Sequence, residues 1–175
     1  MQTSGLGYAA VIVKSVEESL EFYRKLGLQL VYVEPNRDDR ESVQALLAAG
    51  NDTFLLLIGP VNPGIKLAEA TLGAGSMQYL TFRVSGEQMD QMFHHMSNAG
   101  LHGSEQIVRG YERLVFLEDP NGTLVLLTAW LTEPPRGFDR ARILQRAAAF
   151  REAEGSPFIE DAHVRRAIGE LQATS

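Results

Sequence analysis

The sequence predicts an α+β fold: two tandem βαβββ modules with a cleft between them, followed by a C-terminal helical extension. The first observation behind this is an internal repeat. Tyr8-Ala-Ala-Val-Ile-Val13 is an apolar run, Ser15-Val-Glu-Glu18 is a capping box, and an amphipathic stretch then ends at Gly27. Tyr79-Leu-Thr-Phe-Arg-Val84, Ser85-Gly-Glu-Gln88 and a stretch ending at Gly100 repeat that order. The second observation is hairpin chemistry: Gly50-Asn51-Asp52 and Asp119-Pro-Asn-Gly122 each sit between apolar runs. The third is a change of style after Pro134-Pro135, where Ala and Arg become frequent.

The elements follow in order. Strand one runs from about Gly7 to Lys14. Ser15 caps a helix whose Val16, Leu20, Tyr23 and Leu26 recur at helical spacing and face a sheet. Gly27 fits the left-handed residue that ends it. Leu28 to Glu34 is a second strand and Pro35-Asn-Arg-Asp-Asp39 a polar turn. Ser42 to Ala49 and Thr53 to Ile58 read as a strand pair, although Ala and Leu in the first also favour helix. Gly59 to Gly75 is a connector, with a helical turn possible around Ile65 to Ala70.

In the second half, Met77 to Val84 is a strand. Met89, Met92, Phe93 and Met96 form the apolar face of one helix. Leu101 to Val108, Glu112 to Glu118 and Thr123 to Leu131 are strands. Asp139 to Glu154 is a helix, and Ser156-Pro157 starts another, with Pro at its first position. Ile159, His163, Ile168 and Leu171 lie roughly on one side of it. The predicted boundaries are 1–60 for the first module, 61–75 for the linker, 76–132 for the second module and 133–175 for the extension. The extension either packs on a sheet edge or completes a dimer, or forms a lid over the cleft.

The chain's 175 residues suit one domain or two small modules sharing a core. Its 45% hydrophobic content is too high for disorder. A net charge of −6 with no basic run argues against nucleic acid as partner. No apolar stretch reaches the roughly 18 residues of a membrane span. Met-Gln-Thr-Ser-Gly lacks the regions of a signal peptide, so the expected location is the cytoplasm. With no cysteine there is no disulfide, thiolate nucleophile or zinc–sulfur site.

Val13-Lys-Ser-Val-Glu-Glu-Ser-Leu-Glu-Phe-Tyr-Arg-Lys-Leu-Gly27 and Phe116-Leu-Glu-Asp-Pro-Asn-Gly-Thr-Leu-Val-Leu-Leu127 resemble the first-helix and last-hairpin patterns of the vicinal oxygen chelate superfamily. That group includes glyoxalase I, bleomycin- and fosfomycin-resistance proteins and extradiol dioxygenases. The resemblance covers about Gly5 to Leu131. It implies a U-shaped eight-stranded sheet around the cleft and, in many members, a homodimer. It also implies a divalent metal held by His, Gln or Glu on the first and fourth strands of each module. Here those positions fall on Tyr8, Leu56, Tyr79 and Leu126. Leucine cannot ligate, and a hard cation needs several oxygen or nitrogen donors. No metal and no other cofactor is therefore expected.

Strand alternation extends the cleft lining. Tyr8 brings Ala10 and Ile12; Tyr79 brings Thr81 and Arg83; Leu56 brings Phe54 and Ile58; Leu126 brings Leu124, Thr128 and Trp130. Tyr111 and Arg113 belong to a loop that in this family often closes over the ligand. Apolar and aromatic walls with a few polar tips suit a largely apolar or aromatic small molecule, and Arg83 could orient an anionic or carbonyl group. The bland alternative is that these residues fill the cleft as ordinary core. His94 and His95 are adjacent on a helix and diverge, His102 opens a strand, and His163 lies in the extension. No carboxylate or histidine falls on a predicted cleft-facing position. The expected function is metal-free small-molecule binding. The alternatives are a metal-independent isomerase, cyclase or lyase using Tyr8 or Tyr79 with Arg83, and, third, a metal-dependent glyoxalase or dioxygenase.

Overall fold

The computed structural model describes residue 3 and residues 5–50, 52–62, 64–68, 71 and 73–174. The element order is β1 (Tyr8–Ile12), α1 (Val16–Lys25), β2 (Gln29–Pro35), β3 (Ser42–Ala48), β4 (Phe54–Pro60), β5 (Leu80–Arg83), α2 (Gly86–Asp90), α3 (Met92–Ala99), β6 (Ile107–Arg109), β7 (Glu112–Glu118), β8 (Leu124–Trp130), α4 (Arg140–Glu154) and α5 (Asp161–Ala173). Two four-stranded sheets result, ordered β1-β4-β3-β2 and β5-β8-β7-β6. The α+β fold of two βαβββ modules with a helical extension is thus observed.

The chain forms two compact units: residues up to Leu80 with Glu118–Val125, and Thr81–Leu117 with Leu126–Ser175. In the first unit, β1 runs parallel to β4, while β3 is antiparallel to both β4 and β2. Ser15 caps α1 by accepting from the Glu18 amide at 3.2 Å. Val16, Ser19, Phe22 and Tyr23 form its buried face, packed over Val11, Val13, Ala45, Leu47, Leu55 and Leu57, all buried. Gly59 permits this packing: a Cβ there would lie 2.9 Å from the Val13 carbonyl and 3.0 Å from Val16 Cγ2.

The β7–β8 turn joins the same core. Asp119, only 4% exposed, accepts from the Tyr23 hydroxyl at 3.0 Å, the Thr123 amide at 2.7 Å, and the Asn121 amide and side chain at 2.9 and 3.0 Å. Asn121 in turn accepts from the Lys14 amide and donates to Ser19 Oγ. Burial, and then the Asp119 carboxylate, pushes the Tyr23 phenol far above its ordinary range. The folded protein therefore keeps this proton where the unfolded chain releases it. The contribution is fully present below about pH 10 and is lost as pH rises further, by up to about 1.4 kcal/mol per pH unit. Burial raises Tyr111 as well, with the same sign. The denaturant midpoint should fall between pH 9.5 and 11 (roughly the window set by free tyrosine), and Tyr23→Phe should remove one proton's worth of that slope. An unchanged slope would contradict the assignment.

The second unit departs from the sequence reading in several places. The helix after Ser85 is broken at Gln91 into α2 and α3. Met89, Met92 and Met96 are buried, but Phe93 is 52% exposed. The strand predicted over Leu101 to Val108 shrinks to Ile107–Arg109 plus an isolated bridge between Gly103 and Leu117. Beside that bridge the Ser104 hydroxyl takes the Phe116 amide at 3.0 Å, so a side chain replaces a ladder carbonyl. The predicted helix start at Ser156-Pro157 is also displaced. Gly155 ends α4 in a left-handed turn, 156–160 is irregular, and α5 begins at Asp161. Residues 64–68 form no helix; the rest of that expected turn, 69–70, lies outside the described residues, as does Asn51 of the first hairpin.

The extension is a helical hairpin with its own core. Ile143, Ala147 and Phe150 of α4 meet Val164, Ala167, Ile168 and Leu171 of α5, together with Trp130 at the end of β8. His163 is 5% exposed and fixes the connecting turn. Its Nδ1 accepts from the Glu160 amide at 2.9 Å, and its Nε2 lies 3.0 Å from Glu154 Oε2. This histidine is part of the packing.

Candidate functional site

The sheet of the first module has one face under α1 and one face free of it. Register places Tyr8 beside Phe54, Ala10 beside Leu56 and Ile12 beside Ile58. The rows continue across the sheet: Leu56 to Leu46 to Tyr32, and Ile58 to Gln44 to Glu34. Paired residues point to the same side, so these side chains share the face away from α1. Tyr8 is 57% exposed, Ile12 71% and Tyr32 40%. Leu46, Phe54 and Ile58 are half-buried and Leu56 is buried. The alternation expected for β1 and β4 is present: Val11, Leu55 and Leu57 face the core. The polar end is closed by Gln44, whose side chain donates to Glu34 at 2.8 Å. Tyr32, Leu46, Gln44 and Glu34 were not among the residues singled out from sequence. Their signal was the alternation of β2 and β3 once register to β4 is known.

On the second module, Thr81 and Arg83 are exposed and Tyr79 is half-buried. Leu126 and Thr128 are buried, at 1% and 7% exposure. The Val84 amide donates to the Thr128 carbonyl at 2.9 Å, which seats Arg83 alongside Thr128. The Thr128 hydroxyl donates to Glu112 Oε1 at 3.1 Å. Half-buried Glu112 at the start of β7 thus places a carboxylate against Thr128, one of the residues expected to line the cleft. Arg83 has no ion-pair partner among the described residues.

Three of the residues singled out from sequence are held by packing or pairing. Trp130 is 6% exposed among the α4–α5 side chains, with Tyr111 edge-on at 5.2 Å and the Arg140 guanidinium 4.6 Å over its ring. Arg113 pairs with Asp90 and donates to the Gly86 carbonyl at 3.0 Å, tying β7 to α2. His94, His95 and His102 are exposed.

The four positions that the fold's metal centre would use carry two phenols and two aliphatic side chains. Among the described residues no group of three His, Cys, Asp or Glu side chains is placed to hold a metal ion. The donor set at these strands does not fit a divalent cation.

Paired βαβββ modules with an apolar sheet face define a class of small α+β proteins built by duplication. This chain belongs to the glyoxalase/bleomycin resistance protein/dioxygenase superfamily, whose family model matches residues 5–127. The match ends before α4, so both C-terminal helices lie outside it. Solved structures share the fold. SMU.1112c is 21% identical, with a TM-score of 0.61 over 73% of this chain and 99% of that one. A glyoxalase family protein from Enterococcus faecalis is 17% identical, with a TM-score of 0.58 over 71% of this chain and 97% of that one. The fosfomycin resistance protein FosX from Listeria monocytogenes, complexed with Mn(II) and sulfate, is 17% identical, with a TM-score of 0.52 over 73% and 93%. No curated protein matches the chain. Among the described residues no helix is long and apolar enough to cross a membrane.

Proposed function

We propose that the protein binds a small, largely apolar or aromatic molecule without a metal, on the sheet face of the first module opposite α1. The observation that carries this is the exposure of Tyr8, Ile12 and Tyr32 in register with Phe54, Leu46 and Leu56. Such a face leaves apolar and aromatic surface in water that a flat organic molecule would cover. The residues expected from the second half of the chain are not part of this face: Thr81 and Arg83 are exposed on β5, Tyr79 just before it is half-buried, and Leu126 on β8 is buried.

The test is a thermal-shift screen against aromatic compounds in the presence of chelator. A saturable shift is expected. Ile12→Glu places a charge on the face at a solvent-exposed position, so its own stability should change by no more than about 0.5 kcal/mol, whereas ligand affinity should fall roughly tenfold or more. Wild-type affinity in this variant would overturn the proposed face.

Glu112 favours a second reading, a metal-independent enzyme. A half-buried carboxylate held by Thr128 supplies the base that a phenol of ordinary pKa, near 10, does not. Arg83 would then stabilise a developing oxyanion. Release of a changed compound by the wild type, lost in Glu112→Gln, would move this reading ahead of simple binding.

A further inference from the structure

The C-terminal extension builds a second concavity, wholly within its own unit and separate from the first module's sheet face. It is a groove of about 540 Å³ between the β6–β7 turn and the α4–α5 connection. Tyr111 lines one side, and Pro157, Phe158 and Ile159 line the other. Phe158 is 70% exposed, an aromatic ring at the rim with most of its surface in water. The two sides are locked at close approach by Gly110. Its φ is +61°, and a Cβ there would lie 2.6 Å from the Ile159 carbonyl oxygen. No L side chain fits that contact, so the groove's width is set by the backbone.

The charges lining the groove are unequally available. Glu112 already accepts from Thr128. Arg109 is exposed and has no ion-pair or hydrogen-bond partner among the described residues. Arg151 pairs only with its sequence neighbour Glu152, at 3.0 Å, and its Nε has no partner. Glu160, the N-cap residue of α5, also lines the groove, which thus offers apolar and aromatic walls with the unpaired Arg109 guanidinium and the unpartnered Arg151 Nε as its available donors to an anion. Guanidinium forks match carboxylates, and a planar ring suits the space beside Phe158 and Tyr111.

We propose that this groove is a second small-molecule site, specific for a planar aromatic carboxylate. The ring lies against Phe158 and Tyr111, and the carboxylate takes hydrogen bonds from Arg109 and Arg151. The site depends on the extension, whose wall of Arg151 and Pro157 to Glu160 lies beyond the part of the chain that matches the family, while Arg109 to Glu112 lie within it.

Trp130 is the only tryptophan, and its ring lies 5.2 Å from that of Tyr111. Its single indole N–H resonance therefore reports on the groove. Titration of the full chain with 2-naphthoate, followed by ¹H–¹⁵N NMR, should shift this resonance saturably, with a Kd on the order of 1 mM or tighter. Arg109→Ala and Phe158→Ala, both at exposed positions, should each weaken binding about tenfold, and uncharged 2-naphthamide should bind about tenfold more weakly than the acid. Ile12→Glu should leave this titration unchanged, which separates it from the sheet-face reading. No saturable shift at several millimolar (a range set by the weak-ligand estimate), or equal binding by both groove variants, would overturn the proposal. So would loss of the effect in Ile12→Glu alone.

Discussion

Replacing Asp119 with alanine is expected to destabilise the protein by about 3 kcal/mol, one of the larger losses available to a single polar substitution. The carboxylate is 4% exposed and accepts four hydrogen bonds, from the Tyr23 hydroxyl, the Thr123 amide and two donors of Asn121. Removing it takes this acceptor from the buried Tyr23 hydroxyl and from the part-buried Thr123 and Asn121 donors, of which the Asn121 side chain keeps Ser19 Oγ, and a buried group left unsatisfied costs about 1–3 kcal/mol. Relaxation and entering water offset part of the sum, which is why the expectation is less than four full penalties. The fold also loses the anchor that holds the turn after β7 against α1. Asp119→Asn keeps the shape and two acceptor sites and should cost about half as much. Urea unfolding at neutral pH measures both. A loss under about 1 kcal/mol for the alanine variant would show that this network contributes little net stability.

Trp130→Ala is expected to cost about 3–5 kcal/mol. The indole is nearly enclosed by the α4–α5 core, the Tyr111 edge and the Arg140 guanidinium. Its removal opens a cavity where β8 meets the helical hairpin, and Arg140 loses its aromatic face. The expected result is a lower denaturant midpoint and weakened protection of α4 and α5 in hydrogen exchange. The opposite pattern, unchanged stability with lost ligand binding, would make Trp130 a ligand contact rather than a packing residue.

Much of the fold was legible because local chemistry and tertiary context agree. The two Ser caps, the alternation of β1 and β4, and the span of β7 were read directly from residue pattern. Where they disagreed, tertiary contacts decided. Ser104 substitutes its hydroxyl for a strand partner and shortens β6. Pro157 looks like a helix start, but the chain from Ser156 to Glu160 is used to close on the β6–β7 turn at Gly110. Trp130 ends β8, in which every residue from Val125 onward is buried, so burial there does not separate the two faces. Alternation says only which side a residue faces, and the extension supplies what covers it. Glu112 was missed for a related reason. Its side was not assigned from a strand start, and only the bond to Thr128 shows it. The candidate face of the first module was half legible: β1 and β4 came from the repeat, while Tyr32 and Leu46 required the register of β2 and β3.

The most direct test of metal-free binding is calorimetric titration of one aromatic hit into the same protein preparation before and after exhaustive chelation. The account predicts equal affinity and stoichiometry in both, and no recovery of heat on adding Mn(II) or Zn(II). Binding that disappears with chelation and returns with either ion would contradict it, and would mean that the phenols of Tyr8 and Tyr79 serve a metal centre after all.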